Sequence, residues 1–226
     1  MCGRFNITEM PGLQSLLDTL GMDVPLPSPR YNVAPTEDVL LVHDGQGELA
    51  RWWLTPSWAK EISTKYSMFN ARAESLTQSP AFRGPFKSQR GIVPMSSFIE
   101  WRTDEGHKQP WLITNKDSTL AVAALWDVWR GQLAPLLSCT LVTTEAAPEF
   151  QPWHSRMPVM LSREECVRWL DHAEEIAPDD PLFRAELKFP LALHPLASSI
   201  GNSRNKDAAL LEPVGEVVWL ESGYGV

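Results

Sequence analysis

The chain has 226 residues, 43% of them hydrophobic, and a formal net charge of −8. That length fits one large domain with an ample core, and the acidic balance argues against a generic nucleic-acid binder, whose affinity would rest on a basic surface. No apolar run approaches the ~20 residues that span a bilayer, no basic start leads into a secretory-type apolar stretch, and Cys2, Cys139 and Cys166 lack metal-ligand spacing, which suits a reducing cytoplasm.

Along the chain, a first strand is expected over 3–7. Thr8 then caps a helix to about Leu20, with Leu13, Leu16, Leu17 and Leu20 at helical spacing and Gly21 as the stop. Arg30-Tyr31-Asn32-Val33-Ala34-Pro35-Thr36 reads as a compact loop that Pro35 stiffens. Further strands are predicted over 39–43, 50–54, 97–102, 111–114, 120–128, 136–144, 158–161 and 217–220, from β-branched and aromatic content between turn residues. Ser162-Arg163-Glu164-Glu165 matches a capping box that opens a second helix through Val167, Trp169 and Leu170. Residues 180–187 are expected to form a third, short helix. Strands and helices do not alternate regularly, so the expected class is α+β: one domain over 1–226, with a curved, mostly antiparallel sheet and a few short flanking helices.

Charge is unevenly spread. Residues 51–111 hold nine Lys or Arg against five acids, and 145–190 hold ten acids against five bases. A basic face on an acidic body can steer an anion, although both runs also fit ordinary solvated surface. Five of the ten tryptophans (Trp52, Trp53, Trp58, Trp101 and Trp111) fall in the basic stretch. Aromatic planes among cations can stack unpaired bases, but most tryptophans serve a core.

Several residues could carry chemistry. With Met1 removed, Cys2 would present an α-amine and a thiol on one residue, able to form an imine with an aldehyde and then close a thiazolidine ring. An α-amine titrates near ~7.7–8.0 and a thiol near ~8.5, and nearby Arg4 would raise thiolate character. The plainer alternative is that Cys2 starts an edge strand with Met1 retained. Glu100 shares a strand face with Phe98 and Arg102. It is either an exposed partner of Arg102 or a carboxylate buried among aromatics, whose raised pKa would fit proton transfer. His154, beside Arg156 at a loop–strand junction, is a proton shuttle or a structural histidine. Asn70 ends an apolar stretch near Arg72, where an amide and a guanidinium could hold a phosphate-bearing ligand, or Arg72 and Glu74 could form a surface pair. Gly201-Asn202-Ser203-Arg204-Asn205 is a plain turn or a loop that bonds a catalytic segment. No metal site and no cofactor are expected.

Taken in order, Met1-Cys2-Gly3-Arg4-Phe5, Arg30 to Thr36, Trp52-Trp53-Leu54-Thr55-Pro56-Ser57-Trp58, Asn70-Ala71-Arg72-Ala73-Glu74, Phe98-Ile99-Glu100-Trp101, His154-Ser155-Arg156-Met157-Pro158 and the 201–205 loop resemble the landmarks of the SRAP family, the SOS-response-associated peptidases or abasic-site-processing proteins. The resemblance spans nearly the whole chain and implies a sheet that forms a pseudo-barrel. It further implies binding of single-stranded DNA and a covalent thiazolidine crosslink between mature Cys2 and the aldehyde of a ring-opened abasic site. Cys2, Asn70, Glu100 and His154 fall on the family's active-site positions. Gly3, Arg4, Pro35, Trp58, Arg72, Trp101 and Arg156 fall where DNA contacts are expected. Trp53 departs from a more usual glycine. Expected partners are single-stranded DNA with abasic sites and the replication machinery, with no membrane; a cytoplasmic monomer, nucleoid-associated during DNA damage if bacterial, fits this reading. The alternatives are a cysteine-type peptidase or N-terminal-nucleophile hydrolase, and a non-covalent single-stranded DNA module.

Overall fold

Two β-sheets carry the fold in the computed structural model, which describes all residues except 1, 9–10, 25–26, 116–118, 132–133 and 224–226. In chain order the elements are β1 (Phe5–Ile7), α1 (Pro11–Thr19), β2 (Arg30–Val33), β3 (Asp38–His43), β4 (Gln46–Trp52), β5 (Asn70–Arg72), α2 (Arg83–Ser88), β6 (Arg90–Met95) and β7 (Ser97–Asp104). There follow β8 (His107–Asn115), β9 (Leu120–Arg130), β10 (Pro135–Glu145), β11 (Arg156–Pro158), β12 (Met160–Leu161), α3 (Arg163–Leu170), β13 (Leu191–Pro195) and β14 (Val218–Leu220).

Strands β10, β4, β3, β6 and β9 pair in that order, and β9 pairs back onto β10, which closes a five-stranded barrel. Strand β10 runs parallel to β4 and β5 and antiparallel to its other neighbours. The second sheet, in the order β14-β13-β8-β7-β1-β2, is antiparallel throughout. The expected α+β class with a pseudo-barrel and few short helices therefore holds.

Closing so few strands demands small side chains. Ala121, Ala123 and Ala124 of β9 are buried, and a Cβ on Gly91 of β6 would come within 2.8 Å of Leu41 Cδ1 and 3.1 Å of the Val42 carbonyl. The chain leaves the barrel for the second sheet at Ser96, whose backbone N–H and hydroxyl both donate to the Asn6 carbonyl at 2.9 Å. Phe5 of the sheet meets Trp52 of the barrel at a ring distance of 5.0 Å, so one core joins the two. On the sheet's other face, Leu196, Ile200 and Leu210 cover Ile99 and Leu112 in a second cluster.

Helix α3 carries the expected capping box, with Ser162 Oγ accepting from the Glu165 N–H at 3.3 Å and Glu165 Oε2 accepting from the Ser162 N–H at 2.8 Å. Helix α1 matches its predicted span, while the predicted Thr8 cap depends on Glu9 and Met10, which lie outside the described residues. The expected helix at 180–187 is instead a single 3-10 turn, Pro181–Phe183. Asp180 caps the turn by accepting from the Leu182 N–H, and Arg184 is already extended at φ −60°, ψ 145°, so the helix stops after one turn. Strands β2, β6 and β13 and helix α2 were not predicted, and β4 begins four residues before the expected strand. Among the described residues, no helix is long and apolar enough to cross a membrane.

Candidate active site

Pairing of β1 with β7 sets the chain's first residues against the second sheet. The Arg4 carbonyl accepts the Ile99 N–H at 2.9 Å and also faces Cys2 Sγ at 3.8 Å. From the barrel side, β5 pairs with β10 and presents Asn70, whose Nδ2 donates to the Cys2 carbonyl at 2.8 Å. Cys2 is thus fully buried, with its carbonyl held from the barrel side and Arg4, two residues on, held by β7, rather than lying on an exposed edge. Asn70 Oδ1 is buried and makes no hydrogen bond among the described residues, a cost that a ligand donor would relieve.

Glu100 lies on β7 opposite Trp111 of β8 and is only 2% exposed. Burial lifts its carboxyl to about 7, against the opposing pull of the chain's ammonium terminus and the Trp101 backbone. The alternative of an exposed Glu100–Arg102 pair is overturned. Arg102 reaches Asp104 at 3.3 Å and lies 5.6 Å from the Trp153 ring centre, because the first half of β7, Ser97 to Glu100, is buried on both faces while the second half runs out to solvent. A carboxyl poised near neutrality can both give and take a proton.

The Cys2 thiol differs from expectation. Burial, with the Glu100 charge second, pushes its pKa far above the ordinary thiol range. Arg4 does not offset this, since its guanidinium donates to Asn32 Oδ1 at 2.7 Å and to the Ile200 and Gly201 carbonyls at 3.2 Å. It also stacks 5.8 Å from the Trp101 ring centre. The resting thiol is protonated and needs a base to become a nucleophile.

His154 is half-buried just ahead of β11. Its Nδ1 lies 2.9 Å from the Arg156 backbone nitrogen and 3.1 Å from the Arg156 carbonyl oxygen; the neutral ring that accepts from that N–H is the one with its proton on Nε2. Burial, helped by the positive chain terminus, lowers its pKa and keeps it neutral at pH 7. Asn70 holds the Cys2 carbonyl, the Glu100 charge acts on the Cys2 thiol, and Trp153, next to His154, meets Trp111, the residue opposite Glu100, at a ring distance of 5.7 Å, so Cys2, Asn70, Glu100 and His154 converge on one region.

The expected contact residues are more dispersed. Arg72 is exposed at the end of β5, and Arg156 is mostly buried and forked onto Glu74 at 2.8 and 2.9 Å. Gly3, Pro35 and Trp101 are partly exposed around the β1–β2 edge and β7. Trp58 is highly exposed in the β4–β5 connection, where the Ser57 N–H donates to Asp127 Oδ2 at 2.7 Å. Along β10 that places it toward the Ser138 end, whereas Asn70 pairs at Leu141. Among the described residues, no group of three or more His, Cys, Asp or Glu could hold a metal ion.

Asn32 was overlooked by sequence reasoning. It is fully buried at a left-handed φ of 52°, a conformation that Asn tolerates better than most residues. Its Nδ2 faces the carbonyls of Ile200, Asn202 and Asn205 at 3.0–3.1 Å, its Oδ1 accepts from Arg4, and its N–H donates to Asn6 Oδ1 at 2.7 Å. The 201–205 loop is therefore bonded to the segment that carries Cys2. The signal available was an Asn followed by a proline-stiffened turn.

The titration of Glu100 has a stability consequence. Below about pH 4 the carboxyl is protonated in both folded and unfolded chains. Between about 4.5 and about 7 the unfolded chain ionises while the fold retains its proton, so stability is lost as pH rises. The loss is at most about 3 kcal/mol, at ~1.36 kcal/mol per pKa unit. Glu100→Gln is expected to raise the urea midpoint at about pH 8 and leave it unchanged at about pH 4. A pH-independent difference would contradict a carboxyl titrating near neutrality.

Comparison with known proteins places these features in context. The family model for SOS response associated peptidase (SRAP) matches residues 1–203. "Abasic site processing protein YoaM" of Bacillus subtilis is 37% identical over 94% of this chain and 98% of its own length. "Abasic site processing protein YedK" of Escherichia coli is 29% identical over 95% of this chain and 100% of its own. A crystal structure of a Bacteroides thetaiotaomicron protein superposes with a TM-score of 0.82 at 20% identity, covering 94% of this chain and all of that one; this likeness concerns the fold.

Proposed function

The chain belongs to the SOS response associated peptidase (SRAP) family, and from that premise we propose that it processes abasic sites, binding single-stranded DNA and joining Cys2, once Met1 is removed, to the sugar aldehyde. The observation that carries this reading is the setting of Cys2: a main chain pinned by Asn70 beside a carboxyl whose pKa is about 7.

The proton inventory suits thiazolidine formation. The α-amine adds to the aldehyde carbon, and the nitrogen's proton passes to oxygen to give a carbinolamine. Glu100, as the acid, protonates that hydroxyl; water leaves and an iminium forms. The resulting Glu100 carboxylate then takes the proton of the Cys2 thiol, which burial had kept in place. Sulfur attacks the iminium carbon, the C=N electron pair returns to nitrogen, and the ring closes with Glu100 protonated again. One water is released and no other reagent is consumed. A near-neutral acid fits both halves of this cycle better than an ordinary carboxylate.

Neutral His154, with its proton on Nε2, would donate to the sugar oxygen and favour the ring-opened aldehyde. Arg72 would contact backbone phosphate, while Trp58 and Trp101 would stack on bases flanking the lesion. A nucleotide without a base costs little to unstack, which favours abasic sites over intact ones.

To test the proposal, protein whose N-terminus is Cys2 is incubated with a single-stranded oligonucleotide bearing one abasic site. Intact mass spectrometry after denaturation should find a species equal to protein plus oligonucleotide minus one water, absent with the undamaged oligonucleotide. If only unmodified protein appears, the reading fails.

A further inference from the structure

One ion pair stands beside the site without a part in the chemistry above. Glu74, in the 3-10 turn directly after β5, holds Arg156 through two parallel hydrogen bonds, Nη1 to Oε1 at 2.8 Å and Nη2 to Oε2 at 2.9 Å. Arg156 is otherwise fixed, since its Nη2 also donates to the Thr143 carbonyl at 2.7 Å and its side chain is only 14% exposed. Glu74, by contrast, is 50% exposed and can rotate into solvent. Thr143 is also the residue that pairs with Arg72 across the β5–β10 ladder. Arg72 is exposed and its guanidinium makes no hydrogen bond among the described residues, although its charge acts on Glu74. Both arginines therefore meet Thr143, Arg72 across the ladder and Arg156 through the Thr143 carbonyl, and both charges act on Glu74.

The fork that matches a carboxylate matches a phosphate equally well. We propose that Glu74 is the resident anion of the Arg72–Arg156 pair, so that a DNA phosphate reaching those arginines binds by displacing the Glu74 carboxylate. This deepens the single-stranded DNA reading above and rests on it. The pair adjoins the proposed chemistry, because the Arg156 backbone N–H bonds His154 Nδ1; it would seat a phosphate next to the lesion. Burial works against ionisation of Glu74, but the Arg156 hydrogen bonds and the two arginine charges outweigh it and hold the carboxyl below its usual range. Glu74 thus competes as a full anion at neutral pH. Its presence weakens binding of every strand alike and leaves the aldehyde chemistry untouched.

The test is non-covalent binding of an undamaged single-stranded oligonucleotide, titrated over a range of salt concentrations. Glu74→Gln and Glu74→Ala both remove the competing charge and should tighten binding about fivefold at low salt, the scale of a partly exposed ion pair. The dependence of log K on log salt should steepen by about 0.7, one added phosphate contact on a single strand. Adding Arg156→Gln should cancel that gain. Unchanged or weaker binding in both Glu74 variants, with the same salt slope, would overturn the proposal and leave Glu74 as a support that positions Arg156. The covalent assay separates the two readings: if the parent protein forms the adduct while neither variant tightens, only the displaced-carboxylate idea falls.

Discussion

Mature protein carrying Cys2→Ala is expected to yield no denaturant-stable adduct with abasic single-stranded DNA, while an imine to its α-amine remains trappable by borohydride. The two halves of the aminothiol are chemically separable. The amine alone can reach the iminium, but without sulfur no ring closes, and the imine hydrolyses when the protein is denatured. Alanine is small enough to preserve removal of Met1, and it leaves the carbonyl that Asn70 holds at 2.8 Å in place. The loss is therefore expected to be complete for the stable adduct and partial for the trapped one. Gel electrophoresis with and without borohydride checks it; a heat- and denaturant-stable band from Cys2→Ala would remove sulfur from the mechanism.

The second large effect concerns the scaffold. Arg90→Met is expected to cost about 3–5 kcal/mol of folding stability, read from urea midpoints at constant slope. Arg90 is 2% exposed and spends its guanidinium on backbone carbonyls: Trp169 at 2.6 Å, Phe86 and Glu174 at 3.1 Å, and Asp171. Those carbonyls lie at and just beyond the C-terminal ends of α2 and α3, where intrahelical partners run out and the helix dipole favours a cation. The guanidinium also lies 5.6 Å from the Trp169 ring centre. Methionine fills similar volume but donates nothing, which leaves buried acceptors without partners. A change under about 1 kcal/mol would show that water or a relaxed loop replaces the cation easily.

How much of this was legible in the sequence follows from which forces act locally. The strands of β9 and β10 and the helix α3 announce themselves through β-branched runs and a capping box, because those signals lie within one element. Strand β6 was missed because Gly91 and Pro94 break the usual rules. Tertiary packing explains both: Gly91 makes room for Leu41, and β3 pairs with β6 only at Val42–Ile92, so the missing N–H of Pro94 interrupts no long ladder there. The convergence of Cys2, Asn70, Glu100 and His154 came from a family likeness rather than from spacing, since they sit in segments far apart in the chain. Pattern reasoning alone left Glu100 ambiguous, because burial of one strand face depends on what packs over it. Nor did it anticipate that the charges of Arg4 and Arg156 are engaged by Asn32 and Glu74 in three dimensions.

The Asn32 junction also sets an order of assembly. Its side chain joins Arg4, two positions beyond Cys2, to carbonyls of residues 200–205, and Arg4 itself reaches the Ile200 carbonyl across 196 positions of sequence. Contacts of that span close late, after most of the chain has been fixed. During synthesis Cys2 is made long before residues 200–205, to which this junction ties its neighbour Arg4. A nascent chain therefore carries Cys2 without the geometry that surrounds it in the finished fold until that loop has been made.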